Sequence, residues 1–167
     1  VYLNAIGNQC ILSQEDEDGI INLYESDKEG NKWTKPRLLQ GINDAKQFFH
    51  VNYPFMMPDG VTLYFAAEGD ESLGGYDIFV TTYDTEEDRF LTPENIGMPF
   101  NSEANDYMMV IDEYDRIGWF ATDRGQEDGK VCIYTFVPSD VRQTYDPETY
   151  SKEQITNFAR ITDITET

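Results

Sequence analysis

The sequence is short of the residues from which catalytic and metal centres are usually built. Among its 167 residues there are one histidine, His50, and two cysteines, Cys10 and Cys132. A single imidazole gives no defined zinc site and no Ser-His-Asp triad. Basic residues are scarce as well: 12 Lys and Arg stand against 32 Asp and Glu, a formal net charge of −20. Such a surface repels phosphate backbones and anionic headgroups, and no basic stripe with interleaved aromatics offsets it, so nucleic-acid binding is not expected. Long apolar runs are missing too. None approaches the roughly 20 residues that cross a bilayer, and no basic-then-apolar leader is present, so membrane insertion is not expected. The chain opens at Val1 rather than Met, so the missing leader carries no information on compartment.

What the chain does contain is 40% hydrophobic and 14% aromatic residues, enough for the core of one domain of ordinary size. These residues are arranged as a repeat. Leu63-Tyr64-Phe65-Ala66-Ala67-Glu68 with Tyr76-Asp77-Ile78-Phe79 aligns without a gap on Gly118-Trp119-Phe120-Ala121-Thr122-Asp123 with Val131-Cys132-Ile133-Tyr134, at an offset of 55 residues throughout. A fixed period of that length signals a repeat architecture. A looser copy precedes them: Cys10-Ile11-Leu12-Ser13, then Asn22-Leu23-Tyr24. Each of the first two copies continues with an aromatic, a short gap and a proline (Trp33 to Pro36, Phe90 to Pro93), then an apolar-Gly segment ending at Asn43 or Asn101. Residues that recur in this way build the unit. Cys10 and Cys132 fall in non-neighbouring copies, which favours two free thiols over a disulfide.

Each copy reads as a set of short antiparallel strands. In the central copy the segments 52–57, 61–67, 76–83 and 88–91 are rich in β-branched and aromatic residues and are separated by turn chemistry. The first turn is Pro58-Asp59-Gly60, with proline presetting φ and glycine accepting a positive one. Its counterparts are Gly7-Asn8 and Glu113-Tyr114-Asp115. Four strands in a unit of roughly 50 residues, repeated, is the pattern of a β-propeller blade. The expected fold class is all-β, with about three propeller-type blades at 1–43, 44–101 and 102–137, the last incomplete. Tyr64 and Trp119 are expected as equivalent core positions, with the other recurrent aromatics.

The run from Met57-Pro58-Asp59-Gly60 to Leu63-Tyr64-Phe65, then Gly74-Gly75-Tyr76-Asp77-Ile78-Phe79, Asn95-Ile96-Gly97 and Asn101-Ser102, resembles the WD40-like repeat of TolB-type propellers. That family writes its blade as S-P-D-G-x-x-L-Y-F-x-S-x-R, G-G-x-D-I-Y, N-L-G and I-N-[ST]. The resemblance covers residues 1 to about 137 and implies structural roles for Pro58, Asp59, Gly60, Gly74, Gly75, Asp77 and Asn101. Met57 stands where the family has serine, and Gly69 where it has arginine. The third copy keeps that arginine as Arg124.

The resemblance further implies a non-catalytic interaction or scaffold module of the Gram-negative cell envelope, periplasmic or outer-membrane-associated, with a protein partner. The competing expectation is a glycan-binding or glycan-processing propeller, in which Tyr114 stacks on sugar while Asp112 and Asp115 hydrogen-bond it. Arg124 joins these three as a candidate binding residue. No catalytic residue and no cofactor are expected. The acidic loops 15–19, 84–88 and 112–115 cluster oxygen ligands of the kind Ca²⁺ takes, but none completes a twelve-residue calcium loop, so no dedicated metal site is expected either. Asp77 is expected to bond local backbone.

After Phe136 the strand pattern stops. Ser151 and Gln154 read as a capping box for a short helix over 152–160, followed by a connector over 161–167, so that 138–167 forms a helical tail. Three blades do not close a ring, since each blade buries its faces against neighbours. The open faces are therefore expected to be covered by the tail, by further blades of a longer protein, or by self-association.

Overall fold

A computed structural model describes residues 1–139 of the chain. The expected helix at 152–160 and the connector after it lie outside the described residues. Within them the protein is all-β, with no helix.

Three antiparallel units follow one another. The first contains β1 (Tyr2–Leu3), β2 (Gln9–Glu15), β3 (Ile21–Glu29), β4 (Lys32–Trp33) and β5 (Arg37–Leu38). The second contains β6 (Phe48–Met56), β7 (Thr62–Gly69), β8 (Asp77–Asp84), β9 (Arg89–Phe90) and β10 (Glu94–Asn95). The third contains β11 (Asp106–Asp112), β12 (Ile117–Thr122) and β13 (Cys132–Phe136). Within each unit successive strands pair as a meander. A single parallel bridge, Ile21 to His50, joins the first unit to the second, so that β1 to β10 belong to one sheet and β11 to β13 to another.

The expected first strand of the central unit begins earlier than the sequence suggests. Asn43 explains this: its Nδ2 donates to the Phe48 carbonyl and its Oδ1 accepts from the Phe48 N–H, both at 3.0 Å. This clamp starts the ladder at Phe48, opposite Gly69. The expected fourth strand at 88–91 is also revised: it shortens to β9, and a second short strand, β10, follows beyond it. β9 and β10 both pair with β8, as β4 and β5 both pair with β3. Pro93 and Pro36 stand in the gaps, where a residue without an N–H interrupts the ladder. A buried hydroxyl bridges each gap: Thr81 Oγ1 donates to the Leu91 carbonyl at 2.6 Å, and Ser26 Oγ to the Thr34 carbonyl at 2.7 Å. The recurrent aromatic-gap-proline motif is the signature of this gap.

The 55-residue period holds in three dimensions. Phe65 pairs with Phe79 across β7 and β8, and Phe120 with Tyr134 across β12 and β13. Both ring pairs are stacked, with centroids 6.0 Å and 5.5 Å apart. The free thiols Cys10 and Cys132 lie in the first and third units.

Alternate residues of the central sheet point to opposite faces, and both faces are covered. Phe48, Phe65 and Phe79 pack with Ile11 and Leu23 of the first unit. On the other face Tyr64 and Ile78 pack with Met109 and Phe120 of the third. Trp119, the repeat partner of Tyr64, departs from its expected place. It is half-buried and belongs to neither core cluster. The face that the third unit turns to the second is the Phe120 face, and pleat alternation sends Trp119 the other way.

Candidate functional site

The aspartates of the acidic loops build turns. Asp16 Oδ1 accepts from the Asp18 and Ile20 N–H groups, Asp84 Oδ1 from Glu86 and Glu87, and Asp112 Oδ1 from Tyr114 and Asp115. In the Pro58-Asp59-Gly60 turn, Asp59 Oδ1 accepts from Val61 and Thr62, while Gly60 takes a φ of 73°. These are Asx-turns, in which a short carboxylate substitutes for a backbone acceptor. Among the described residues no group of three His, Cys, Asp or Glu side chains is arranged to hold a metal ion.

The four candidate binding residues do not form one site. Asp112, Tyr114 and Asp115 share the hairpin turn before β12, where Tyr114 is 95% exposed. Arg124 follows the opposite end of β12, and its guanidinium is turned inward. It donates to the Pro99 carbonyl at 2.8 Å, to the Phe100 carbonyl, and to Asp106 Oδ1 at 2.6 Å, and it lies over the Phe120 ring. Gly69, where the family motif has arginine, has no room for a side chain: an added Cβ would collide with the Gln47 carbonyl.

Between the second and third units lies a buried polar seam. Asn101 Oδ1 accepts from the Ile78 N–H at 2.7 Å, and its Nδ2 donates to the Ile78 carbonyl at 2.8 Å and to Asn95 Oδ1 at 2.7 Å. Asp77, fully buried, accepts through Oδ2 from the Leu73 N–H and from Asn95 Nδ2, whereas its Oδ1 has no hydrogen-bond partner. Burial pushes the Asp77 carboxyl above its ordinary pKa, and those hydrogen bonds oppose the rise. Gly74 and Gly75 lie against 103–105 with no space for a Cβ. The bare backbone at Gly75 lets Asn105 Oδ1 accept from the Tyr76 N–H at 3.0 Å, and the Asp106 N–H donates to the Tyr76 carbonyl at 2.7 Å.

This stitching brings three tyrosines together. Tyr53 lies 5.8 Å, centroid to centroid, from both Tyr76 and Tyr107, which are 6.0 Å from each other. Tyr53 sits where the β6–β7 register shifts between Asn52 and Phe55, with a φ of 53°, a conformation a bulky residue rarely takes. Asn52 Nδ2 donates to the Tyr76 hydroxyl at 2.9 Å, and the Tyr107 hydroxyl donates to Asp123 Oδ2 at 2.9 Å. Asp123 also accepts from the Asn105 N–H and Nδ2, and His50 Nδ1 lies 3.1 Å from Glu68 Oε2. Burial and the Asp123 hydrogen bond and charge push the Tyr107 phenol up to about 12. Burial raises Tyr76; the Asn52 hydrogen bond pulls the other way, and the Tyr53 and Glu68 charges add to the rise.

Sequence reasoning missed this cluster because it searched among recurrent residues. The signal lies in what fails to recur: at the 55-residue offset Tyr53 meets Met108, Tyr76 meets Val131, and Tyr107 meets Asn52. A separate pocket of about 210 Å³ opens in the first unit, with Asp16, Asn22, Asn43 and Lys46 above Leu23 and Ile42. No protein-family model matches the sequence, and neither the curated proteins nor the solved structures give a match.

Proposed function

We propose that this chain is a non-catalytic interaction module made of propeller-type blades, working in the Gram-negative cell envelope, and that it meets its partner through the tyrosine cluster. The blade reading is supported by the recurrence of register and ring stacking at 55 residues and by a central sheet covered on both faces. The envelope assignment rests on the motif resemblance. The observation that carries the binding role is the convergence of Tyr53, Tyr76 and Tyr107, which break the repeat yet meet at one place. Tyrosine offers a large amphipathic surface at low entropic cost, and it is enriched where proteins meet partners. A glycan-binding propeller is the second reading, favoured by the exposed ring of Tyr114 beside Asp112 and Asp115.

Capture from an envelope extract, run beside a glycan array, tests the two readings. The first expects a protein partner that is retained by the native chain and lost with Tyr53→Gly. Glycan binding that disappears with Tyr114→Ala supports the second. Retention untouched by changes at any of the three clustered tyrosines refutes the binding role of the cluster.

A further inference from the structure

We propose that the Tyr53, Tyr76 and Tyr107 cluster is a receptor for a cationic side chain, a lysine or arginine presented by a basic segment of a protein partner. The inference rests on the reading of this cluster as the binding surface and adds the chemistry of what it binds.

The ring geometry suits a cation. Tyr53 stands at 67° to Tyr76 and at 89° to Tyr107, and Tyr76 and Tyr107 are tilted by 41°. No two rings are coplanar, so they form a corner rather than a stack. With all three centroids no more than 6.0 Å apart, a charge above the middle of the triangle falls within the ~6 Å over which a ring face attracts a cation. Tyr53 is 43% exposed, so its ring can be reached from solvent.

The charges around the rings have the matching sign. Tyr107 donates its hydroxyl proton to Asp123, which places electron density on the ring and deepens its attraction for positive charge. Burial alone would raise the Asp123 carboxyl, but the hydrogen bonds from Asn105 and Tyr107 outweigh it and hold it below the ordinary value, so it is ionised at neutral pH. Glu68 sits at the position of Asp123 in the preceding repeat, close enough for its charge to act on Tyr76. Of the basic groups beside the cluster, Arg124 directs its guanidinium to Asp106 and the Pro99 and Phe100 carbonyls, and His50 turns its Nδ1 to Glu68. Over the whole chain the net charge of −20 steers a basic partner inward.

A sugar fits less well. The amides best placed to bind hydroxyls, Asn52 and Asn105, are committed to Tyr76 and to Asp123. An ammonium or guanidinium supplies its own donors and needs only ring faces and nearby negative charge, which Asp123 supplies even while accepting from Asn105 and Tyr107.

The test is a titration of the full chain, carrying ¹³C-labelled tyrosine rings, with three probes: an acetyl-Gly-Lys-Gly-Lys-Gly-amide peptide, the same peptide with both lysines acetylated, and cellohexaose. The expected result is saturable shifts confined to the Tyr53, Tyr76 and Tyr107 rings with the lysine peptide. Binding should weaken at least tenfold on acetylation, and should weaken with Asp123→Asn. Tyr53→Gly, which keeps the positive φ while removing the ring, should abolish it. If cellohexaose or the acetylated peptide moves the same rings as strongly, the cationic ligand is refuted while the cluster stands as a binding surface. If the lysine peptide shifts resonances all over the acidic surface and Tyr53→Gly leaves its affinity unchanged, both are refuted. Silence of the three rings with every probe overturns the cation receptor.

Discussion

Arg124 Nη2 lies 2.6 Å from Asp106 Oδ1, an ion pair inside the third unit whose arginine also reaches back to the Pro99 and Phe100 carbonyls, with the aspartate fully buried and the arginine side chain only 11% exposed. Asp106 Oδ2 in turn accepts from the Ser102 N–H at 2.7 Å and hydroxyl at 3.0 Å, so both carboxylate oxygens are satisfied. Removing the arginine leaves a charge in the interior with its counter-ion and the Oδ1 hydrogen bond gone. Arg124→Ala should therefore destabilise the protein by about 3–5 kcal/mol. Arg124→Lys should recover little, because one ammonium does not span Asp106 and the Pro99 and Phe100 carbonyls together. Denaturant unfolding of both variants checks this; a lysine variant as stable as the native chain would mean that charge alone holds the seam.

The repeat partners of the central aromatics should differ in weight. Phe120 is buried against Phe100, Tyr134 and Phe136, whereas Trp119 is half-buried outside the core. Phe120→Ala should cost about 3–5 kcal/mol, the range for a large-to-small core change. Trp119→Ala should cost about half as much or less. Equal losses in melting temperature would place Trp119 in a core it does not occupy here.

Asp77 should be better replaced than kept. Its Oδ1 is buried without a partner, and burial raises its folded pKa, so the native state binds this proton more readily than the unfolded chain does. Stability from this group is then greatest below the unfolded pKa of about 4 and falls as pH rises through the higher folded value. Asn stands at the equivalent position 22 of the first unit, hydrogen-bonded to Asp16 and Asn43. Asp77→Asn should be neutral or more stable by about 1 kcal/mol at pH 7, and that advantage should vanish near pH 3. Thermal melts across this pH range decide it: a variant weakened equally at both ends would show that the carboxylate itself is needed.

Asp123 and Tyr107 should titrate as a pair in opposite directions. The lowered Asp123 carboxyl contributes stability that is present above the ordinary carboxylate range and lost as pH falls through its folded value. Tyr107, raised to about 12, holds its proton longer when folded. Stability therefore also falls as pH climbs from the ordinary tyrosine value of about 10 towards that figure. Asp123→Asn should bring Tyr107 down towards its ordinary value, read from the ring carbon shift against pH. An unmoved Tyr107 would assign its shift to burial alone.

Much of the architecture is local and can be read without coordinates. Alternation of apolar residues, the Pro58-Asp59-Gly60 turn, the aspartates that close Asx-turns and the 55-residue offset all act over a few residues or between adjacent strands, so the all-β units and their repeat are determined by the sequence itself. Even the gap after the short fourth strand is written there, in the prolines at 36 and 93. What depends on one unit packing against the next is decided only in three dimensions. The same strand position packs against a core cluster in Tyr64 and against none in Trp119, though both are half-buried, because a strand defines two faces but not which one a neighbouring sheet covers. Nothing in the sequence says that the Arg124 guanidinium meets Asp106 and the Pro99 and Phe100 carbonyls, contacts that span 18 to 25 residues. Tyr53, Tyr76 and Tyr107 come from three separate strands or loops; Asn52 ties the first two together, and Asn105 and Asp106 bind the Tyr76 backbone across the seam and bring Tyr107 to them. No spacing rule encodes that meeting, since it arises from the packing of whole sheets and the hydrogen bonds that join them.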